Sequence, residues 1–224
     1  AKAVSVHIVN DRTLNAFVAG GQRIFINTGL ILAVDSASEI LGVLAHESGH
    51  IIGGHLIRTR EAMESANTQS IIAMILGMAA IVGSKGDVGS AVISGGGHVA
   101  QRSLLRYSRI QESIADQSAI RIMAKANYAP DGMLAMLQKL RGQETLITSR
   151  QDPYVRSHPL TSDRITTMRE AVAKAGPGQD ISHFETMLRR MKAKIYAYME
   201  DPDRTFRRLI QWFTLTVTPG MLSQ

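Results

Sequence analysis

Apolar and polar positions alternate at the beginning of the chain, and this period of two is typical of β-strands. Residues 4–9 read V-S-V-H-I-V, and the β-type runs 15–19 and 23–27 flank Gly20-Gly21, which is a hairpin turn signal. We predict from this pattern a small antiparallel sheet of three strands.

Beyond residue 36 the apolar positions recur at helical spacing. A capping box formed by Ser36 and Glu39 opens a first long helix, which we expect to run to about Thr59 with Gly53-Gly54 weakening its far end. Further helices are predicted over 64–82, 98–126, 131–141, 161–175, 181–199 and 202–213, with loops over 83–97 and 148–159. The fold class is therefore mainly α (α+β).

The segment 70–83 is strongly apolar. A membrane-spanning helix needs about 20 such residues, so this run is too short to cross a bilayer comfortably. A buried helix is the simpler interpretation. The alternative is a lid or a membrane-dipping segment with surface contact over 70–97, which the adjacent Gly-rich loop and Lys85 favour.

Charge and composition narrow the class of protein. The 224 residues suffice for one large domain or a domain with a small appendage, and the 11 methionines suit a Met- and Leu-rich interior or an adaptable binding surface. The net charge of +6 is explained by solvated Lys and Arg on helix faces, with anionic lipid headgroups as the alternative partner. No nucleic acid is expected, because the sequence has neither a binding motif nor an aromatic stacking platform.

The absence of cysteine excludes structural disulfides and thiolate metal sites. The chain begins without an initiator Met or an apolar leader. We therefore expect a trimmed mature protein or an excised domain, whose signal peptide would lie outside this chain.

The most informative motif is His46-Glu47-Ser48-Gly49-His50, which reads H-E-x-x-H and lies within the first predicted long helix. Residues four apart on a helix share a face, so His46 and His50 can point at one metal ion. Glu47 is then placed to hold a water on that metal. One helical turn would thus supply two ligands and a general base, which is the arrangement of a zinc peptidase.

Two histidines leave such a site short of a third protein ligand. Glu112 is the best candidate, because small and apolar neighbours suggest that it lies on a half-buried helix face. Asp116 follows one turn later on the same side, where its carboxylate could accept the free N–H of a ligand histidine. The alternative is a solvated Glu/Asp pair, which the upstream H-E-x-x-H motif disfavours.

Together with His158-Pro159-x-x-x-x-Arg164, these motifs resemble the series found in the Ste24/HtpX-type family of zinc metallopeptidases, in the gluzincin clan. Within that family the BepA-like branch, which lacks transmembrane helices, is the most similar. The approach to the first motif is also similar, with N-A-F at 15–17 and I-F-I-N-T-G-L at 24–30, and so is His55 after it. The likeness covers about residues 4–175.

The resemblance implies one zinc ion per chain, bound by His46, His50 and Glu112, with Glu47 as the base. It also implies a helical gluzincin-like fold with a small antiparallel sheet beside the active-site helix. A zinc metallopeptidase domain would occupy 1–176, followed by a helical extension over 177–224 that starts, or links to, a further domain. The edge strand around Asn15, Ala16 and Phe17 would bind substrate as an added β-strand.

His158 and Arg164 carry a second set of expectations. By chemistry alone, a loop histidine before proline is usually exposed, whereas by resemblance both residues return to the active site. Arg164 would be a fixed positive charge near the developing oxyanion. His158 would either donate a hydrogen bond there or occupy the fourth metal position and hold the enzyme latent. The other histidines are expected to be structural or surface residues: His7, His55, His98 and His183.

The function implied by the resemblance is zinc-dependent hydrolysis of peptide bonds in unfolded or misassembled cell-envelope proteins, in the periplasm or at the periplasmic face of the bacterial envelope. One alternative is a latent protease that acts as an assembly factor or chaperone for outer-membrane proteins. A membrane-attached binding module is a second, and a coincidental motif on a metal-free helical protein is a third.

Overall fold

The computed structural model describes residues 3–61, 64, 68, 108–141, 154, 158–199 and 207. The predicted helices over 64–82 and 202–213, the loop over 83–97, the membrane-contact segment over 70–97 and His98 lie outside the described residues, apart from single positions. The same holds for most of the loop predicted over 148–159.

A three-stranded sheet precedes the helices. Its strands are β1 (Ser5–Val9), β2 (Ala16–Ala19) and β3 (Arg23–Asn27), in the spatial order β1-β3-β2. The tight turn between β2 and β3 is made by Gly20 and Gly21, both with positive φ, as the sequence predicts. The described residues thus have the predicted mainly helical α+β architecture.

The expectation of a fully antiparallel sheet is wrong for β1, because this strand pairs with β3 in parallel. Only β2 and β3 are antiparallel. The physical reason is burial: β3 carries the buried Ile24 and Ile26 and takes the centre, whereas β1 is exposed and occupies an edge. The chain crosses the end of β3 between β1 and β2, where Asp11 bonds to the backbone of Gly29 and the side chain of Thr28.

Helix α1 (Thr28–Ala33) continues directly from β3, and the sequence pattern did not predict it. Helix α2 (Ala37–Gly53) begins as expected, with the Ser36 side chain accepting a hydrogen bond from the backbone N–H of Glu39. It ends earlier than predicted at Gly54, which caps it in the left-handed conformation with φ of 63°. A separate short helical segment then covers 55–61.

Four further helices are described: α3 over 108–125, α4 (Asp131–Arg141), α5 (Ser162–Lys174) and α6 (Ser182–Met199). The bounds of the last three agree with the sequence predictions within a residue. Helix α2 packs against β2, β3, α4 and α6, and this central position makes it the scaffold of the site.

Two glycines let the neighbouring helices approach α2 closely. A Cβ atom on Gly42 would lie 2.8 Å from Cα of Met133 in α4, and one on Gly49 would lie 2.6 Å from the carbonyl oxygen of Ala115 in α3. The core beneath α2 is rich in methionine, as the composition suggests. Its members include Ile24, Leu30, Val43, Ala119, Met123, Met136, Leu137 and Met168.

In the ranges described above, no helix combines the length and the apolar character needed to cross a membrane.

Candidate metal centre

The structure brings four donor side chains together from three parts of the chain. His46 and His50 lie one turn apart on the same face of α2, Glu112 comes from α3, and His158 precedes α5. His46, Glu112 and His158 are buried, and only the edge of His50 is exposed. The two histidines of the H-E-x-x-H motif therefore do converge with the carboxylate predicted as the third ligand.

The donor atoms form a compact cluster. Nε2 of His46 lies 3.0 Å from Nε2 of His50 and 3.2 Å from Nδ1 of His158. Carboxylate oxygens of Glu112 lie 3.3 Å from each of these three nitrogens, which are Nε2 of His46, Nε2 of His50 and Nδ1 of His158. Five of the six donor pairs therefore stand 3.0–3.3 Å apart.

This spacing fits a divalent metal ion. Donors bound tetrahedrally to zinc at about 2.0–2.1 Å stand about 3.3 Å from one another. Buried donor atoms that face one point need a common partner for their lone pairs, and a divalent cation would supply it. The residues present thus suit a divalent metal, with His46, His50 and Glu112 as the predicted ligands and His158 beside them.

Asp116 lies one turn after Glu112, as predicted, and contacts the first ligand. Its Oδ1 atom lies 2.9 Å from Nδ1 of His46. A carboxylate in this position fixes the ring so that Nε2 faces the metal. The same aspartate binds the guanidinium of Arg164, through Nε at 2.6 Å and Nη2 at 2.8 Å.

Arg164 is buried and engages several groups at once. Besides Asp116, its Nη1 atom contacts Oε2 of Glu112 at 2.9 Å and donates to the carbonyl of Pro159 at 3.0 Å. These contacts with Asp116, Glu112 and Pro159 occupy most of the N–H donors of Arg164. The contacts make Arg164 a positioning residue for Glu112 and Asp116, while its contact with an oxyanion stays a prediction.

Glu47 faces the cluster from the same helical turn as the ligands. Both of its carboxylate oxygens are buried without a hydrogen bond, and Nε2 of His158 lies 3.4 Å from Oε1. Burial raises the pKa of Glu47, although nearby histidines and Arg164 oppose the shift. A carboxylate in such surroundings holds a proton more readily than one in water, as a general base that later acts as an acid must.

The pKa values of His46 and His50 are shifted in opposite directions. Burial lowers the pKa of His46, but Asp116 and Glu112 outweigh it and raise that pKa to about 9. Burial lowers the pKa of His50 to about 4. The pKa of Glu112 lies well below its usual value, because the surrounding histidines outweigh its own burial. The carboxylate of Glu112 is thus ionised and available to a cation.

Tyr154 connects the His158 segment to the sheet, and no sequence motif indicated this residue. It is buried, its ring lies against that of His158 with centroids 4.5 Å apart, and its carbonyl accepts from the backbone N–H of His158 at 2.8 Å. Its own N–H donates at 3.3 Å to the carbonyl of Leu14, which lies two residues before β2. A tyrosine four residues before a histidine carries no signal by itself.

The predicted substrate strand lies at the edge of the sheet. β2 pairs with β3 on one side, and no strand pairs with its other side in the described residues. Ala16 is buried and Phe17 stacks on Phe25, so side chains of β2 help to build the sheet. Asn15 directly precedes β2 and is not part of the strand. Its carbonyl accepts a hydrogen bond from the backbone N–H of Asn27.

His55, expected to be structural or a surface residue, is buried and contacts a ligand, with its Nδ1 atom 2.8 Å from Nδ1 of His50. His7 and His183 are exposed. Helix α2 ends at Gly54, between His50 and His55. Helical periodicity therefore does not predict that the ring of His55 contacts His50.

Comparison with known proteins yields one family match. The model of peptidase family M48 matches residues 1–172. Among curated relatives, a putative beta-barrel assembly-enhancing protease of Vibrio cholerae is 29% identical over 185 residues, which cover 83% of this chain and 38% of that protein.

Two further relatives are more distant. A beta-barrel assembly-enhancing protease of Yersinia pestis is 26% identical over 186 residues, which cover 83% of this chain and 38% of that protein. The mitochondrial metalloendopeptidase OMA1 of Schizosaccharomyces pombe is 24% identical over 170 residues, which cover 76% and 47%. This chain therefore spans less than half of each of these relatives.

Proposed function

The chain belongs to peptidase family M48, and from this premise we propose that it is a zinc-dependent endopeptidase acting on unfolded or misassembled proteins of the cell envelope. The observation that supports it most is the convergence of His46, His50 and Glu112 beside the buried carboxylate of Glu47. The bacterial relatives are proteases whose names refer to β-barrel assembly, which supports an envelope client and a periplasmic location.

In this proposal His46, His50 and Glu112 hold one zinc ion. When bound, the metal would supply a Lewis acid that lowers the pKa of a water to about 7. Glu47 takes a proton from the attacking water and later delivers it to the departing amine. Asp116 and Arg164 keep His46 and Glu112 in place throughout, through the contacts described above.

The edge of β2 with which no described strand pairs supports binding of the substrate as an extended strand. Asn15 and Asn27 form a hydrogen-bonded pair, so the next such pair is Phe17 with Phe25. Ala16 and Val18 therefore direct their N–H and C=O groups outward. Only an unfolded segment can offer its backbone to this edge, which accounts for selection of misassembled substrates without a side-chain preference.

The position of His158 supports a self-inhibited resting state. Its Nδ1 atom stands among the metal ligands, where a catalytic site would keep an open position. Tyr154 bonds to Leu14 at the start of the substrate edge, so a strand added to β2 would compete with this contact and release His158. The closed arrangement also favours the second candidate function, a latent assembly factor or chaperone for outer-membrane proteins.

Contact with a membrane surface through 70–97 is a further part of the proposal. It rests on the sequence, since these residues lie outside the described ranges. Co-flotation of the protein with liposomes containing anionic lipid supports it, and its absence refutes it.

Proteolysis of an unfolded substrate tests the proposal. Zinc-loaded protein should cleave fluorescently labelled casein, and chelator-treated protein should not. The Glu47→Gln variant should retain zinc and lose turnover, because the amide keeps the shape of the carboxylate but cannot take a proton. Cleavage by this variant at the wild-type rate would refute the role of Glu47.

Removal of His158 tests its role in the protease and also separates the two candidate functions. If His158 holds the site closed, His158→Ala should cleave casein faster than the wild type. If His158 donates to the oxyanion, the same variant should lose about 100-fold in turnover. A His158→Ala variant that binds zinc yet cleaves nothing would favour the non-proteolytic assembly factor.

A further inference from the structure

His55 is buried against the second ligand histidine, and the mechanism above does not use it. Its ring meets that of His50 edge-on, with centroids 4.9 Å apart and planes at 78°. The contact joins Nδ1 of one ring to Nδ1 of the other at 2.8 Å, which is a hydrogen-bond distance. One of these two nitrogens must therefore carry the hydrogen and the other must accept it.

The direction of this hydrogen bond follows from the opposite side of His50. Nε2 of His50 faces Nε2 of His46 and Oε1 of Glu112, so it is the nitrogen that would bind the metal. A neutral imidazole with a metal on Nε2 carries its hydrogen on Nδ1. His50 is thus the donor, and His55 must accept through Nδ1 and keep its own hydrogen on Nε2.

The local backbone is built to place the ring of His55 there. Gly54, with φ of 63°, turns the chain back at the end of α2, so that residue 55 returns over the last turn. Gly53 leaves the space that the ring fills, since a Cβ atom at this position would lie 2.2 Å from Nε2 of His55. A larger residue at position 53 would displace the ring.

A second set of contacts ties His55 to the helix that carries the third ligand. The side chain of Gln111 donates to the carbonyl of His55 at 3.4 Å and accepts from the hydroxyl of Thr59 at 2.9 Å. Gln111 directly precedes Glu112 in α3. The short helical segment over 55–61 is thereby held against the same helix that supplies the carboxylate ligand.

We propose that His55 is a positioning residue whose Nδ1 accepts the Nδ1–H of His50 and thereby fixes the tautomer and ring orientation that present Nε2 to the metal. The inference rests on the proposed metal site. It gives the two ligand histidines different supports: a carboxylate, Asp116, for His46 and a neutral imidazole, His55, for His50.

Metal affinity of paired variants tests the proposal. His55→Leu fills the space without an acceptor, whereas His55→Gln retains an acceptor oxygen. Loss of such a partner typically weakens metal binding about 10- to 100-fold. We expect that loss for His55→Leu, and wild-type affinity within a few-fold for His55→Gln and for His183→Leu, a control at an exposed histidine. Zinc affinity is measured by competition with a chelator, beside the thermal midpoint of each metal-free protein.

The outcomes separate this inference from the proposed function. If the wild type binds no zinc, the proposed function fails. If the wild type binds zinc and the folded His55→Leu variant binds it equally well, the inference alone is overturned. Equal weakening by His55→Gln and His55→Leu, with unchanged thermal midpoints, also overturns it, because the acceptor would then be irrelevant.

A measurement on the wild type covers the case in which His55→Leu does not fold. Long-range ¹H–¹⁵N NMR spectra of the zinc-loaded protein report which ring nitrogen of each histidine carries the hydrogen. The proposal requires hydrogen on Nδ1 of His50 and on Nε2 of His55. Hydrogen on Nδ1 of His55 would overturn it.

Discussion

Arg164 and Asp116 form a buried two-point ion pair, in which Nε and Nη2 of the guanidinium bond to the two carboxylate oxygens at 2.6 and 2.8 Å. The pair joins α5 to α3, and through Asp116 it reaches Nδ1 of His46 at 2.9 Å. Stability of the helical core and orientation of the first ligand therefore depend on the same contact.

Removing one partner of this pair should destabilise the protein strongly. Arg164→Met leaves the buried carboxylates of Asp116 and Glu112 without the guanidinium that bonds to both, and removing one partner of a buried ion pair typically costs about 3–5 kcal/mol. Urea unfolding of the metal-free protein measures the loss. Arg169→Met, an exposed position on the same helix, is the matched control and should change the free energy of unfolding little. Equal stability of both variants would contradict the structural role of the pair.

Close approach of α2 and α3 should be sensitive to one methyl group. Gly49→Ala places a Cβ atom 2.6 Å from the carbonyl oxygen of Ala115, which forces the helices apart. Overpacking of this kind costs about 1–3 kcal/mol, and it also separates His50 from Glu112. We expect lower stability and weaker zinc binding, measured by urea unfolding and chelator competition. The control is Ser48→Ala, one residue earlier and only partly buried, which should leave zinc binding intact. Wild-type zinc affinity of the Gly49→Ala variant would show that the helices tolerate the methyl group.

Zinc binding should release a proton from His46. The pKa of His46 in the metal-free protein is raised to about 9, whereas that of His50 is lowered to about 4, so at pH 7 only His46 must lose a proton to bind the metal. Affinity should therefore rise about tenfold per pH unit from pH 7 and level off near pH 9. Calorimetry in buffers of different ionisation enthalpy counts the protons.

The same measurement has an internal control. Asp116→Asn removes one of the carboxylates that raise the pKa of His46, so that pKa should fall and fewer protons should be released at pH 8. Release of no proton by the wild type between pH 7 and 8 would contradict the assigned protonation state of His46.

Backbone recognition at β2 should depend on one outward N–H group. Val18→Pro removes the N–H that faces away from β3 without breaking a bond of the sheet, and proline is tolerated on such an edge. The loss of one hydrogen bond worth about 0.5–1.5 kcal/mol should raise KM for casein about 2- to 10-fold with kcat nearly unchanged. Val18→Ala controls for the lost side chain. An unchanged KM for Val18→Pro would exclude strand addition at this edge.

The sequence predicts which side chains converge at the candidate site because their spacing is local. His46, Glu47 and His50 share one helical turn, and Glu112 and Asp116 share another, so helix geometry alone fixes each set. The start of α2 was also predictable, because the capping residue Ser36 acts within three residues of itself. Local sequence rules do not predict that α2 packs against α3. That packing depends on the close approach at Gly49.

The features that the sequence did not reveal depend on distant contacts. The parallel pairing of β1 follows from the burial of β3, and the place of Tyr154 follows from its bond to Leu14, far away in the chain. The sequence predicts a structural or surface role for His55. Its contact with His50 depends on the turn at Gly54 and becomes visible only in the structure. Arg164 lies beside the cluster, as the resemblance implies, but its contacts with Glu112 and Asp116 become visible only in three dimensions.

The central claim is that His46, His50 and Glu112 bind one metal ion. Anomalous diffraction at the zinc absorption edge, from crystals of the zinc-loaded protein, tests it most directly. We expect one peak per chain, within bonding distance of Nε2 of both histidines and of a carboxylate oxygen of Glu112. A peak elsewhere, or a zinc ion from which Glu112 points away, would contradict it.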